Sequence, residues 1–420
     1  MQVLVERIAG IDIGKANVTC CVRVPDPGRA GRRKQVIRTY TTMSAQLWRL
    51  ADWLTENQVT RVVMEGTSDY WKPVFYLLEA AGFEVWLVNA HQVKGVPGRR
   101  KSDAIDAAWL AQVGECELVS PSFVPPPPIR RLRDLTRYRT TQVREHTREV
   151  QRLEKLLEDA GIKLSVVASS IVGVSGRAML TALIAGQRDP LALADLAKGK
   201  LRRRRADLIE ALTGRFDEHH AFLCQQMLTR LDQLQAHIAA LEERISLELA
   251  PYRPQLAQLD SVYGIAETAA ARLIAEIGVD MSVFPTAQHL ASWARTAPRT
   301  RQSGTATKGG TTGKGNPWLG EVLGEIATGI ARSHTYLGTR HRRLASRRGK
   351  LRAIVATSRH ILTISWHLLS DPTHQTRFHD LGPDYHLTRT NTTQRTRQLV
   401  RQLQALGHHV TLQPAQPIPA

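Results

Sequence analysis

The chain is poor in cysteine: its four thiols, Cys20, Cys21, Cys116 and Cys224, form no C-x-x-C pair. That excludes a disulfide framework and a zinc ribbon, and it fits a reducing cytosol. Long apolar runs are missing as well. Ala353 to Leu369 is broken by Arg359, His360 and His367, and no run reaches the roughly 18 apolar residues of a membrane span. The chain reaches Asp12 without a signal-peptide pattern, so a cytoplasmic protein with no membrane partner is expected. No 20- to 50-residue repeat is visible, which excludes a solenoid. A zinc finger or RNA-recognition motif for reading bases is also lacking.

What the sequence has in excess is positive charge. It carries 57 Lys or Arg against 38 Asp or Glu, a net charge of +19 and an isoelectric point near 10.3. Arg supplies 45 of those cations, and its planar fork suits bidentate phosphate binding. A polyanionic partner is implied. The charge is uneven. Leu290 to Lys350 holds 12 cations against Glu321 and Glu325 alone, a local net of +10. Smaller clusters are Arg99-Arg100-Lys101, Arg130 to Arg152 and Arg202 to Arg205. A charge run is usually a solvated face, but this density among Gly and Thr exceeds what solvation requires.

The 420 residues are enough for two or three domains. The first 120 or so alternate strand and helix patterns, which predicts a mixed sheet covered by helices. Strands are expected at Val3 to Ile13, Val18 to Val24, Gln35 to Thr41, Thr60 to Met64 and Phe83 to Val88. Helices are expected at Ser44 to Asn57, Trp71 to Ala81 and Ser102 to Val113. The proline run Pro125 to Pro128 stops regular structure and marks a boundary. Beyond it two heptad-type seams follow, one through Val143, His146, Val150, Leu153, Leu157 and Ala160, the other through Leu231, Leu234, Ile238, Leu241 and Ile245. They pair either within one chain or between two. Tyr252 to Gln255 reads as a second boundary. Next come Val262-Tyr263-Gly264-Ile265 and a helix from Glu267 to Ile277, resembling a helix-hairpin-helix element. A Gly/Thr-rich loop covers Arg299 to Asn316, and an amphipathic helix near Thr393 to Leu406 lies in a polar tail. The expected domains are therefore 1–124, α/β; 125–255, a helical coiled-coil linker or dimerisation region; 256–370, mainly helical; and 371–420, the tail.

Two acids sit where strands end, Asp12 and Glu65. Asp103 and Asp106 are three apart, so on a helix they share a face about 5–6 Å apart at Cβ. Hard carboxylate oxygens suit Mg²⁺, which also binds substrate phosphates, and two such ions about 3.5–4 Å apart assist phosphodiester cleavage. The bland alternative makes Asp103 a helix N-cap with Asp106 as its capping-box partner. Asp12 also fits the phosphate loop of an actin-like sugar kinase, but no second phosphate loop or adenosine motif appears.

The segments Gly10-Ile11-Asp12-Ile13-Gly14-Lys15, Val63-Met64-Glu65-Gly66-Thr67 and Lys101-Ser102-Asp103-Ala104-Ile105-Asp106-Ala107 resemble the DEDD transposases of the insertion sequence 110 family. So do Ala275-Glu276-Ile277-Gly278, Ala297-Pro298-Arg299, Gln302-Ser303-Gly304 and Lys314-Gly315-Asn316-Pro317 downstream. The resemblance spans nearly the whole chain, with two local departures: the family usually has Gly-Leu where this chain has Arg295-Thr296-Ala297, and Glu267 and Thr268 stand where a hairpin often has Pro or Gly. It implies an RNase-H-type, RuvC-like N-terminal domain with Asp12, Glu65, Asp103 and Asp106 as an acidic tetrad for Mg²⁺ or Mn²⁺ in a two-metal site. It implies a C-terminal domain whose nucleophilic serine is Ser303, and a composite site formed across subunits of a dimer or tetramer. The implied partners are donor and target DNA and a non-coding guide, the bridge RNA, in a bacterial, nucleoid-associated setting. Arg99, Arg100, Lys101, Arg299, Arg301, Lys308 and Lys314 are the candidate nucleic-acid contacts. Two other functions compete: a RuvC-like junction-resolving nuclease without a covalent intermediate, and a non-catalytic nucleic-acid scaffold.

Overall fold

The computed structural model describes residues 3–29, 31–66, 68–89, 102–298, 300–303, 306–309, 312–388 and 392–413. For 300–303 and 306–309, and at 387, 388, 392 and 394, the backbone alone is described. The chain forms two compact units, Met1–Val124 and Pro125–Ala420.

In the first unit the order is β1 (Ile8–Ile13), β2 (Asn17–Pro25), β3 (Arg33–Thr41), α1 (Ser44–Glu56), β4 (Arg61–Glu65), α2 (Trp71–Ala80), β5 (Glu84–Val88) and α3 (Asp103–Glu115). One five-stranded sheet runs β3-β2-β1-β4-β5. Its first three strands are antiparallel, and β4 and β5 continue it parallel to β1. This mixed sheet under helices is the RNase-H-type, RuvC-like arrangement expected. Strand alternation divides its side chains between two cores. Ala9, Ile11, Ile13, Val62 and Met64 pack with α1 and α2 residues such as Leu50, Leu54 and Leu78. Ile8, Cys21, Val63 and Val88 pack on the other face with Ala107, Leu110 and Ala111 of α3.

The second unit opens with α4 (Pro127–Asp159), then α5 (Val174–Ile184), α6 (Arg205–Ala211) and α7 (Glu218–Glu248). Pro127 and Pro128 occupy the first turn of α4, so the proline run starts a helix instead of stopping structure. A first-turn proline forfeits only an N–H that has no partner in the helix. α4 and α7 pair within the chain as antiparallel arms. Asp159 meets His220 at 3.0 Å, Glu149 meets Arg230 at 3.6 Å, Arg139 donates to Glu242 at 2.9 Å, and Arg131 meets Glu248 at 3.7 Å. Leu153, Leu157, Leu231, Leu234, Ile238 and Ile245 are buried as the seams require. Val143 is not: it is 37 % exposed. The first half of α4 also packs against the helix carrying Glu276, so its buried stripe shifts to Ile129, Leu132, Thr136 and Thr140. The Thr136 and Thr140 hydroxyls donate to carbonyls of the same helix, which lets them be buried. Between the arms, residues 160–217 fold into a helical cap over Leu153 and Leu157, with Leu180, Leu183 and Leu208 in its core.

The remainder is α8 (Arg253–Asp260), α9 (Glu267–Ile277), α10 (Ala287–Trp293), strands β6 (Thr300–Ser303) and β7 (Ala306–Gly309), then α11 (Pro317–Ala331), α12 (Tyr336–Arg348), α13 (Lys350–Leu369) and α14 (Thr392–Ala405). α8 and α9 form the expected helical hairpin. Its Gly264 has φ 91°, and a Cβ there would meet Ile330 Cγ1 at 2.9 Å. The tight turn thus serves packing on α11. The stretch after α13 is tied down: the Phe378 N–H donates to Ser261 Oγ at 2.8 Å, and the Tyr336 N–H to Asp380 at 3.1 Å. Among the described residues no helix is long and apolar enough to cross a membrane.

Candidate active site

Asp12 and Glu65 come together through register. β1 and β4 pair in parallel up to Ile11 opposite Met64, so the next residues, Asp12 and Glu65, stand at one level on neighbouring strands. Parity decides their face. Ile8 and Val63 lie in the core shared with α3, and Asp12 and Glu65 follow at even spacing, on that same face. Both are partly exposed.

The direction of α3 brings in the other two acids. A Cβ on Gly10 would lie 2.2 Å from the Ala107 carbonyl oxygen and 2.3 Å from the Ala111 nitrogen, and one on Gly114 would lie 2.9 Å from Ile8 Cδ1. α3 therefore lies directly on β1 and runs against it, C-terminal end over Ile8 and N-terminal end toward Asp12. Glu115, 3 % exposed, anchors the far end, accepting from Arg23 at 2.9 and 3.0 Å with Arg33 at 3.3 Å. The first turn holds Asp103 and Asp106, and its N-cap is Ser102, whose side chain accepts from the Ile105 N–H at 3.3 Å. The capping-box alternative for Asp103 is thus overturned: a serine already fills the cap. Four carboxylates share one end of the sheet. Among the described residues, however, no group of three or more His, Cys, Asp or Glu side chains is close enough to hold a metal ion.

The segment expected as a Gly/Thr-rich loop is in part a β-hairpin. Thr300 pairs with Gly309, Arg301 with Lys308, Gln302 with Thr307 and Ser303 with Ala306. Ser303 is thus the last paired residue before the turn. Thr300 and Thr307 are β-branched and suit this ladder, which the glycine content of the segment obscured. The hairpin's base is held at both sides. Thr296 N–H and Oγ1 both donate to the Ala291 carbonyl at 3.0 Å. A Cβ on Gly315 would sit 2.6 Å from the Ala294 oxygen, so the exit strand lies against the entry helix.

Sequence reasoning missed what holds that exit. Asn316 caps α11 through Oδ1, accepting from Trp318 and Leu319, and its Nδ2 donates to Glu276. Glu276 is 3 % exposed and receives Arg137 bidentately at 2.8 and 2.8 Å. Arg133 donates to the Ala275 and Glu276 carbonyls at 2.9 and 2.7 Å. Breaking a buried charged pair from one side costs about 3–5 kcal/mol, so this network fixes α4, α9 and the start of α11 as one piece. The motifs holding Glu276 and Asn316 stood out in the sequence, but their tie to Arg137 did not, because Arg137 and Glu276 lie 139 residues apart.

Of the candidate nucleic-acid contacts, Arg99, Arg100, Lys101 and Arg299 lie outside the described residues. Arg301 and Lys308 are register partners in the hairpin ladder, and Lys314 is exposed beyond it.

Acids at the strand ends of an RNase-H-type sheet and a strongly basic helical unit suit an enzyme that acts on nucleic acid. A DEDD transposase model of the IS110 type matches residues 9–162, and a transposase model of the IS116/IS110/IS902 family matches residues 256–342. Together they span more than half of the chain, which belongs to the IS110 family of DEDD transposases. The first match contains Asp12, Glu65, Asp103 and Asp106; the second contains Ser303. Among solved structures, RuvC of Thermus thermophilus is similar at 16% identity over 27% of this chain and 99% of that one, with a TM-score of 0.22. The same protein in complex with a Holliday junction substrate is similar at 16% identity over 28% and 99%, with a TM-score of 0.21. No curated protein matches the chain.

Proposed function

We propose that this transposase is an RNA-guided recombinase that cuts and rejoins DNA through a phosphoserine formed on Ser303, assisted by a divalent metal held by Asp12, Glu65, Asp103 and Asp106. The observation that carries the metal half is the strand-end pair, Asp12 beside Glu65, with the α3 N-terminus directed to the same end. Mg²⁺ needs only one or two carboxylates when substrate phosphates complete its shell. The donor set therefore fits, although no three-residue cage stands among the described residues. When bound, the metal would neutralise phosphate charge and lower the barrier to displacement.

In this reading the Ser303 oxygen attacks phosphorus, and the new P–O bond replaces the one to the leaving deoxyribose oxygen. The serine gives up a proton and the leaving oxygen takes one. A hydroxyl of the partner strand later attacks the phosphoserine and frees Ser303. The phosphoester conserves bond energy, so no external energy source is needed. Arg299, Arg301, Lys308 and Lys314 would hold the phosphate, and Arg99, Arg100 and Lys101 the backbone near the acids. Specificity would come from base pairing with a bridge RNA, the protein reading shape and charge. A dimer or tetramer would supply enough sites for several strands.

The test incubates the protein with the non-coding RNA adjoining its coding sequence, labelled DNA and Mg²⁺. The expected product is a protein–DNA adduct that Ser303→Ala and Asp12→Asn both abolish. Cutting by Ser303→Ala at wild-type rate would instead establish a resolvase-type nuclease using the acids alone.

A further inference from the structure

The basic clusters differ in what neutralises them. Along α4, arginines are consumed by ion pairs: Arg131 with Glu248, Arg137 with Glu276, Arg139 with Glu242, Arg144 with Glu321 and Arg152 with Glu149. The hairpin of α12 and α13 is the opposite case. Not one acid occurs between Glu325 and Asp371. Arg340, Arg343, Arg347, Arg348, Lys350 and Arg352 enter no ion pair among the described residues, and all but Arg340 are exposed. Asp380, at the start of α12, accepts from the Tyr336 and Gly382 N–H groups. The two helices meet at Gly349, φ 84°, which ends one and begins the next. That sharp corner brings Arg347, Arg348, Lys350 and Arg352 to a single tip.

Two neighbouring histidines are lowered first by burial and only second by these arginines. Burial and then Arg340 push His360 down to about 4. His386 is lowered by burial, then by Arg343 and Arg340.

We propose that the α12–α13 hairpin is a docking surface for the phosphodiester backbone of double-stranded DNA, gripped by Arg340, Arg343, Arg347, Arg348, Lys350 and Arg352. The choice of DNA rests on the chain's being a transposase, and neither Ser303 nor a guide RNA enters it. The cations already paired along α4 gain little from phosphate, because each must first leave a carboxylate. Those on α12 and α13 exchange only water and counterions. Their contribution appears as counterion release, about 0.9 units of log–log salt slope per phosphate on duplex DNA.

The test compares two triple variants of the full chain that remove equal charge. One is Arg343→Gln, Arg347→Gln, Arg348→Gln. The other is Arg131→Gln, Arg139→Gln, Arg144→Gln. Affinity for a labelled DNA duplex is measured by anisotropy between about 50 and 200 mM salt, with a double-stranded RNA of equal length as a second probe. The α12 variant should lose about 2–3 units of slope and about tenfold or more in DNA affinity. The α4 variant should lose less than about one unit. Equal losses in both would overturn the proposal, leaving a net-charge effect. Loss of RNA binding with DNA binding intact would overturn it in favour of RNA. The three α12 side chains are exposed, so thermal unfolding should match wild type; if it does not, Lys350→Gln with Arg352→Gln repeats the comparison at the tip.

Discussion

Arg295 is exposed and adopts φ 57°, a left-handed conformation that costs an L-residue about 1–2 kcal/mol. It opens Arg295-Thr296-Ala297, the stretch in which the resemblance departs from the family's Gly-Leu, and it stores backbone strain at the entry to the serine hairpin. Arg295→Gly should therefore stabilise the folded protein by roughly 0.5–1 kcal/mol, after glycine's extra chain entropy of about 0.5–1 kcal/mol is deducted. A raised urea midpoint at unchanged slope would show this; a lowered midpoint would mean that the Arg295 side chain contributes more than its strain costs. At this scale the site was half legible. Asp12 and Glu65 could be read as strand-end acids because β-branched runs stop at them. Asp103 was ambiguous by spacing, and only the Ser102 hydroxyl on the Ile105 N–H removes the capping alternative. Glu276 was visible as part of a motif but its task was not, since a carboxylate in an apolar helix is uninformative until Arg137, Arg133 and Asn316 are placed around it.

Among elements, the arms were legible as helices and illegible as a pair. A seam of Leu and Ile shows that a helix has a partner, but not which one, and the two seams served an intrachain or an interchain reading equally. The charge ladder from Asp159–His220 to Arg131–Glu248 decides for the intrachain pair. The serine hairpin was missed because glycine and threonine content reads as loop, while strand pairing depends on a partner segment. His220 lies at the cap end of the arms, 6 % exposed, with Nε2 3.0 Å from Asp159 and Nδ1 2.5 Å from Asp217. Burial alone would lower its pKa, but the bonds to Asp159 and Asp217 outweigh burial and raise it above the ordinary 6.5. Raised in the folded state, the group contributes stability that is complete below the unfolded value and is lost as pH climbs through the folded one. The melting temperature of the wild type should fall from about pH 6 to pH 9 more steeply than that of His220→Gln. Parallel curves would mean that the imidazole is not charged in the fold.

At the scale of the molecule, the four acids and most of the excess cations fall in different units. The four acids belong to the first unit, where the sheet and α3 present them, and the unneutralised cations of α12 and α13 belong to the second. Both features were visible in the sequence as counts and spacings. The sequence could not say which cations were free, because α4 looks as basic as α12 until its glutamate partners arrive from α7, α9 and α11. If the acids work through a metal and the α12–α13 cations work on phosphate directly, binding and cutting must separate. Chelating divalent cations with EDTA at matched ionic strength should stop strand cleavage while changing duplex DNA affinity by less than about twofold, since salt-sensitive phosphate contacts need no metal. Asp12→Asn in Mg²⁺ should reproduce that split. Cleavage that survives chelation would remove the metal from the mechanism. Affinity that collapses on chelation would make the carboxylates, through their metal, the main DNA-holding groups, and the +19 charge would then serve steering more than grip.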